Sequence, residues 1–286
     1  MNVSQFSLSR RSIAIVAAVV GTASLAIGAH ATLNKLALDA ARAAAAEQHV
    51  AIGKKASKVA LVIGNGHYPD ANAPLAQPIN DARGLTAALR RDGFDVDVVE
   101  DASKDDMARA IARMKSRIRP DTVVMLFFGG YGVQVGRESY MIPVDAVIWK
   151  EADVRREGIS IESVLDAMSE QGARAKLVVV DASRRNPYER RFRSFSHGLA
   201  PISPPDNALI LTSATPGKVA YDSPAAHSVL MSELLNNLDA QAPGAEAVFN
   251  KTRVAISRAS DGEQVPSVSS SLLEDVRLSA SDAAGG

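Results

Sequence analysis

One stretch of this sequence decides its fold class: Val123-Val124-Met125-Leu126-Phe127-Phe128-Gly129-Gly130-Tyr131-Gly132. Its first six residues are apolar without alternation, which is typical of a strand that is buried on both faces of a parallel sheet. The glycines on both sides of Tyr131 indicate a tight turn at the end of that strand. Because ligands bind beyond the carboxyl ends of such strands, this turn is a candidate functional site.

The same strand pattern recurs along the chain, with helical patterns between the strands. We predict further strands over Val59–Ile63, Phe94–Val99, Leu177–Val180, Ala208–Leu211 and Val265–Val268, the last at an edge because of Pro266. The first predicted helix begins near Asn80-Asp81 and ends near Arg91, and the second begins at Ser103 and ends near Arg119. A third begins at Ser160 and ends near Gln171, and two more run over Val229–Leu238 and Ala245–Ala259. Alternating strands and helices predict an α/β domain with a mainly parallel sheet covered on both sides.

The composition restricts the possible partners and chemistry. The chain has 286 residues, of which 47% are hydrophobic and 22% are charged, as in an ordinary globular domain. Lys and Arg number 32 and Asp and Glu number 32, so no net charge attracts nucleic acid. There is no cysteine, which excludes disulfides, thiolate metal sites and thiol nucleophiles. No acidic or histidine cluster has metal-ligand spacing, and Gly64-Asn65-Gly66 lacks the remainder of a nucleotide motif, so we predict no cofactor.

The first 31 residues predict export or anchoring. Ser9-Arg10-Arg11-Ser12 precedes an uncharged apolar run, Ile13–Ala29, and Ala29-His30-Ala31 follows. These are the parts of a signal peptide, but the run is also nearly long enough for an uncleaved signal anchor, and the sequence leaves both open. The arginine pair resembles a twin-arginine signal, so we predict a periplasmic protein or an inner-membrane-anchored one that faces the periplasm. Membrane contact is then expected only through an uncleaved N-terminal segment.

The rest of the chain divides into three predicted parts. Residues 32–57 form an Ala-rich helical spacer with a thin apolar face. Residues 58–278 form the folded domain, and the small, polar residues 279–286 form a disordered tail.

A second turn, Asp181-Ala182-Ser183-Arg184, follows the Leu177–Val180 strand, and its sequence resembles a family motif. Together with Gly130-Tyr131-Gly132-Val133-Gln134, Asn80-Asp81-Ala82 and Tyr140-Met141-Ile142-Pro143-Val144-Asp145, it resembles the caspase/metacaspase family, particularly its bacterial members. The resemblance spans roughly Lys58 to Leu273. It implies a caspase-hemoglobinase-type three-layer sandwich with a six-stranded, mainly parallel sheet and helices on both faces.

The resemblance fails at the two catalytic positions. The family has a His at the position of Tyr131 and a Cys at that of Ser183; the His is the general base and the Cys attacks the peptide carbonyl. The backbone N–H groups that hold the oxyanion would be those of Gly132 and Ser183. A tyrosine with a pKa of ~10 is only about 0.1% ionised at pH 7, so Tyr131 is a poor base. General-base catalysis typically contributes about 10²–10⁴-fold to the rate, and a poor base at position 131 forfeits that contribution.

Two interpretations of Tyr131 and Ser183 stay open. They fill the former site as a packed or hydrogen-bonded pair, or Ser183 is the nucleophile of a rewired hydrolase with a relocated histidine as its base. The candidate bases, all in predicted loops, are His67, His197 and His227.

The acids of the substrate pocket are present. In metacaspases, which cleave after Arg or Lys, two such acids map onto Asp81 and Asp181, and two carboxylates can hold a guanidinium by forked hydrogen bonds. As compatible alternatives, Asp81 caps its helix and Asp181 braces its turn. The arginine-rich segment Arg184–Arg193 is a solvated face, a site for an anionic partner, or a segment that occupies this protein's own acidic pocket.

The sequence therefore favours a catalytically inactive pseudopeptidase that binds Arg- or Lys-containing protein segments and acts as a regulator or scaffold. The alternative is an active endopeptidase that cleaves after basic residues through Ser183. A third possibility is a structural domain with a vestigial pocket.

Overall fold

The computed structural model describes residues 57–192, 197–220, 224–239 and 244–278. In these residues the strands are β1 (Lys58–Gly64), β2 (Asp95–Glu100), β3 (Val123–Gly129), β4 (Gly132–Val135), β5 (Glu138–Met141), β6 (Ile159–Ser160), β7 (Ala175–Asp181), β8 (Ala208–Thr212) and β9 (Ser267–Ser270). The helices are α1 (Pro78–Arg91), α2 (Lys104–Arg117), α3 (Glu151–Glu157), α4 (Ile161–Glu170), α5 (Val229–Asp239) and α6 (Ala245–Ala259). The predicted signal segment, nearly all of the predicted spacer and the predicted tail lie outside the described residues.

The central sheet has six strands in the order β2-β1-β3-β7-β8-β9. Neighbouring strands from β2 to β8 are parallel, and β9 pairs with β8 in the antiparallel sense. The predicted six-stranded, mainly parallel α/β sheet is confirmed. In the register of β3 and β7, Gly129 lies opposite Asp181, so both strands end at the same level.

Helices cover both faces of this sheet, as predicted. One apolar core joins the sheet to α1, α5 and α6, and the other joins it to α2 and α4. Along β3 the side chains alternate between the two cores: Val123, Met125 and Phe127 enter the first, and Val124, Leu126 and Phe128 enter the second. An uninterrupted apolar run is therefore required here, because neither face of the strand meets water.

A small antiparallel sheet, β4-β5-β6, was not predicted. Its strands have four, four and two residues, too short to show a period, and β4 begins inside the glycine-rich turn. A third apolar cluster around this sheet contains Tyr68, Tyr131 and Tyr188. The short sheet thus builds one wall of the region beyond the carboxyl ends of β3 and β7.

Two predicted helix and strand boundaries are wrong. Helix α1 begins at Pro78 with Gln77 as its N-cap, so Asn80 and Asp81 lie within its first turn and do not cap it. Proline is favoured at the first helical position because its missing N–H has no intrahelical acceptor there. Strand β9 begins at Ser267, two residues later than predicted, and Pro266 precedes it. In the part of the chain that the structure describes, no helix is long and apolar enough to cross a membrane.

Candidate active site

The turns that follow β3 and β7 are joined by backbone hydrogen bonds. The N–H of Gly130 donates to the carbonyl of Asp181 at 3.3 Å, and the N–H of Gly132 donates to the carbonyl of Ala182 at 3.2 Å. These two bonds flank Tyr131 on one turn and precede Ser183 on the other. The two positions that the resemblance assigns to catalysis therefore lie on turns that are held together by strand register and backbone hydrogen bonds.

Tyr131 is buried, and its hydroxyl donates a hydrogen bond to the carbonyl of Ala73 at 3.0 Å. Its ring meets that of Tyr68 edge to face with centroids 4.9 Å apart, and its N–H donates to the Tyr68 hydroxyl at 3.0 Å. The Tyr68 hydroxyl in turn donates to the carbonyl of Ile142, and burial raises the Tyr68 pKa well above its usual range. These contacts give Tyr131 the surroundings of a packed aromatic residue that is anchored to the backbone.

Ser183 is buried and its backbone is fixed. Its N–H donates to Ser213 Oγ at 3.3 Å, and its carbonyl accepts from the N–H of Ala220 at 2.7 Å. Its own hydroxyl has no hydrogen-bond partner among the described residues. A serine nucleophile needs an adjacent base in hydrogen-bond reach, and the described surroundings of Ser183 Oγ contain none.

Each candidate histidine faces a carboxylate instead. His67 Nδ1 lies 2.5 Å from Asp101 Oδ2, and His227 Nδ1 lies 2.9 Å from Asp81 Oδ1. His197 Nδ1 is 3.8 Å from Glu189 Oε2. None of the three forms a hydrogen bond with the Ser183 hydroxyl.

The two predicted oxyanion donors already have acceptors within the protein. The N–H of Gly132 donates to Ala182 and that of Ser183 donates to Ser213. Leu199 also packs against Gly132, since a Cβ built on this glycine would lie 2.5 Å from Leu199 Cδ2. The oxyanion role of Gly132 and Ser183 stays a prediction, and an oxyanion at this place must displace Ala182 O and Ser213 Oγ.

Asp81 and Asp181 are both buried at this end of the sheet. Asp81 accepts a hydrogen bond from the N–H of Ser228 at 3.2 Å, and Ser228 Oγ caps α5 by accepting from the N–H of Met231 at 3.0 Å. Asp81 therefore supports the start of α5, not that of its own helix. Burial, followed by the negative charge of Asp181, raises the pKa of Asp81 to about 6, whereas bonds from His227 and Ser228 lower it.

The raised pKa of Asp81 predicts a pH-dependent stability. The folded protein retains a proton on Asp81 between the ordinary value of 3.8 and about 6, where the unfolded chain has released it. The free energy of unfolding should therefore fall by about 3 kcal/mol through this group as the pH rises across that interval. Asp81→Asn should abolish this contribution. Urea unfolding at pH 4 and pH 7 should show a larger stability advantage of the variant at pH 7; an equal difference at both pH values would contradict the assignment.

Arg184 is buried near Asp181. It is only 5% exposed, and its guanidinium Nη2 lies 4.0 Å from Asp181 Oδ1. The other carboxylate oxygen, Asp181 Oδ2, has no hydrogen-bond partner among the described residues. The sequence indicated an arginine-rich segment but not which of its arginines turns inward.

Further along this segment, Arg191 binds Asp70 Oδ2 at 2.7 Å and the carbonyl of Ile148 at 2.6 Å. It also stacks over Trp149, with its guanidinium carbon 4.6 Å from the ring centroid. Arg193, the last predicted member, lies outside the described residues. Among the residues that are described, no group of three or more histidine or acidic side chains is arranged to hold a metal ion.

A six-stranded sheet between two layers of helices, with one turn beyond β3 and a second beyond β7, is the architecture that the comparison with known families identifies. The family described as Caspase domain matches residues 57–277, and the chain belongs to that family. Its similar relatives include Mucosa-associated lymphoid tissue lymphoma translocation protein 1 of Homo sapiens and its homolog in Mus musculus, each 29% identical over 134 residues. The alignments cover 46% of this chain and 16% of each relative, so the match spans a small part of these longer proteins.

Proposed function

We propose that this caspase-family domain binds Arg- or Lys-containing protein segments through Asp81 and Asp181 without cleaving them, and so regulates or scaffolds another protein. The observation that carries the proposal is the burial of two carboxylates, Asp81 and Asp181, at the end of the sheet where the Ser183 hydroxyl has no hydrogen-bonded base among the described residues. Asp181 Oδ2 is buried and without a hydrogen-bond partner among the described residues, so it is an available acceptor for a guanidinium.

The hydrogen bonds around Tyr131 and Ser183 favour binding over cleavage, because they leave neither residue placed for proton transfer. The Tyr131 hydroxyl donates to the carbonyl of Ala73, and no described histidine forms a hydrogen bond with the Ser183 hydroxyl. A serine hydroxyl without a base in hydrogen-bond reach, as in the described surroundings of Ser183, leaves mainly binding and oxyanion stabilisation as sources of rate enhancement. The Arg10-Arg11 pair and the apolar run after it add the periplasm as the proposed compartment.

The test is a comparison of two uncleavable peptides that end in arginine amide and in citrulline amide, which differ mainly in charge. A charged hydrogen bond is worth about 1.5–3 kcal/mol, so we expect the arginine peptide to bind at least about 10-fold more tightly. Asp181→Asn should remove the difference, whereas Asp166→Asn, at an exposed position of α4, should preserve it. Equal affinities of the two peptides for the wild-type protein would refute the proposal.

The competing function is an endopeptidase of the caspase family that uses Ser183. It requires an environment that activates a hydroxyl, and it predicts covalent labelling of Ser183 by a fluorophosphonate. Labelling together with turnover of arginine peptides, both lost in Ser183→Ala, would replace the binding proposal with this one.

A further inference from the structure

Trp149, the one tryptophan of the chain, presents its side chain to solvent. It is 65% exposed, and Val147, two residues earlier, is 49% exposed, whereas Ile148 between them is buried in the cluster that contains Tyr131. This alternation places Val147 and Trp149 on the same side of their segment, where they form one apolar patch. Exposed apolar patches with a polar rim are typical of interaction sites, so this patch is a candidate for one.

Trp149 is held in its exposed position. Its N–H donates to Asp153 Oδ2 at 3.0 Å, and the guanidinium carbon of Arg191 lies 4.6 Å from the centroid of its ring. Arg191 is itself fixed by hydrogen bonds to Asp70 Oδ2 at 2.7 Å and to the carbonyl of Ile148 at 2.6 Å. A surface that is already ordered loses little conformational entropy when it binds a partner, and tryptophan is enriched among the residues that dominate interface energies.

The rim of the patch carries positive charge. Lys150 and Arg190, the neighbours in sequence of Trp149 and Arg191, are exposed. The carboxylate of Asp70 in this region is already paired with Arg191. We call this region the Trp149 surface and define it by Val147, Trp149, Lys150 and Arg190. Its charge suits an apolar side chain that is accompanied by carboxylates.

Leu273 carries that complementary pattern. It is 84% exposed, more than any other large apolar side chain in the described part of the chain, and the exposed Glu274 and Asp275 follow it. The other two large apolar side chains that are exposed outside the Trp149 surface, Val219 and Val254, each directly follow a basic residue. Like charges across an interface oppose binding, so Leu273 is the one of these three that suits the Trp149 surface.

The backbone on both sides of Leu273 is anchored. The N–H of Leu273 donates to Asn207 Oδ1 at 3.2 Å, and three residues later the carbonyl of Val276 accepts from the N–H of Ala245 at 2.8 Å. Val276 is buried, whereas Leu273 points into solvent. Leu273 is therefore presented on an ordered segment, as Trp149 is.

The two surfaces lie at opposite ends of the central sheet. Asn207, which binds the N–H of Leu273, directly precedes β8 at its amino end. The cluster around Ile148 contains Tyr131, which follows the carboxyl end of β3. Strand β7 is parallel to both β3 and β8, so these are different ends of the sheet. One molecule cannot bring its own Leu273 to its own Trp149 surface, whereas two copies can meet head to tail.

We propose that the Trp149 surface binds Leu273 and Glu274 of a second copy of this chain. Leu273 packs against the exposed tryptophan ring, and Glu274 meets the cations of the rim. Because the two surfaces differ, the contact is heterologous and each copy can bind one neighbour at either end. A contact of this size gives weak, concentration-dependent association. The proposal is independent of the proposed function, since neither surface includes Asp81 or Asp181.

The test is sedimentation of the full chain in mild detergent, from micromolar to millimolar concentration. The wild type should form oligomers that grow beyond dimers, and Trp149→Ser and Leu273→Ser should each associate at least about 10-fold more weakly. An equal mixture of the two variants should form one-to-one pairs and nothing larger, because each variant retains the surface that the other lacks. Val254→Ser, which removes an exposed apolar side chain of α6, is the matched control and should associate as the wild type does.

The fluorescence of Trp149 gives a second readout, because no other tryptophan is present. Its emission should shift to shorter wavelength as the wild type associates, and Leu273→Ser and Glu274→Lys should both lose this shift. A wild type that stays monomeric, a mixture of Trp149→Ser and Leu273→Ser that does not pair, or association that Leu273→Ser leaves unchanged would each overturn the proposal. Binding to phosphatidylglycerol vesicles that is lost in Trp149→Ser, without self-association, would assign the surface to lipid and overturn it as well.

Discussion

The double variant Tyr131→His with Ser183→Cys is expected to cleave peptides after arginine. The hydrogen bond from Gly132 to Ala182 holds position 131 beside position 183, so an imidazole and a thiol placed there should meet. A thiol supplies some thiolate near neutral pH, and a general base typically adds about 10²–10⁴-fold in rate. We expect a gain on the order of 10²-fold or more over the wild type, measured with a fluorogenic arginine substrate.

The controls for this variant come from the same site. Each single substitution should gain far less, because a nucleophile and its base act as a unit. Asp181→Asn added to the double variant should abolish cleavage after arginine through the loss of the pocket acid. Adding Ser213→Ala should increase the rate, since it frees the N–H of residue 183 for the oxyanion. A folded double variant with no turnover would show that the oxyanion donors or the pocket no longer function.

Replacement of Asp181 alone is expected to produce the largest loss of stability. Asp181→Leu removes the carboxylate that lies 4.0 Å from the buried Arg184 guanidinium, and loss of one partner of a buried pair typically costs about 3–5 kcal/mol. Arg184→Met should cost a similar amount, because the carboxylate of Asp181 then stays buried. The double variant Asp181→Leu with Arg184→Met should recover most of the stability, since apolar side chains suit the site. Urea unfolding of all four proteins measures this cycle.

The surface offers a matched comparison for that cycle. Arg109 and Asp106 form an exposed pair at 2.5 Å on α2, and Arg109→Ala should cost far less than either change at the buried pair, because water and salt screen exposed charges. Additive losses in the Asp181 and Arg184 cycle, with no recovery in the double variant, would show that the two groups are not coupled.

The fold was predictable where apolar runs are long and buried on both faces. The pattern from Val123 to Phe128 specifies a central strand because each face enters its own core. The small β4-β5-β6 sheet was missed because strands of two to four residues show no period. The predicted capping role of Asp81 is wrong because the helix begins at Pro78, two residues before Asn80, where proline suits the first helical position.

The site was predictable only where a local motif marks it. Asp181 and Ser183 stand in one short segment and resemble a family pattern, so their place at the end of a strand follows from sequence. His227 meets Asp81 across 146 residues, and Ser213 meets Ser183 across 30. Such contacts depend on how α5 and β8 pack against the sheet, and no residue spacing encodes them. The inward turn of Arg184 likewise depends on backbone hydrogen bonds that its neighbours in sequence do not reveal.

The register of β3 and β7 has a consequence for how this domain can change its chemistry. Gly129 is paired with Asp181 by sheet hydrogen bonds, and the bonds of Gly130 and Gly132 extend that pairing into the turns. The distance between positions 131 and 183 is therefore set by main-chain atoms and is independent of the side chains present there. If the proposed binding function is correct, a cleaving and a binding version of this domain can share one main-chain frame and differ at the two residues that it holds.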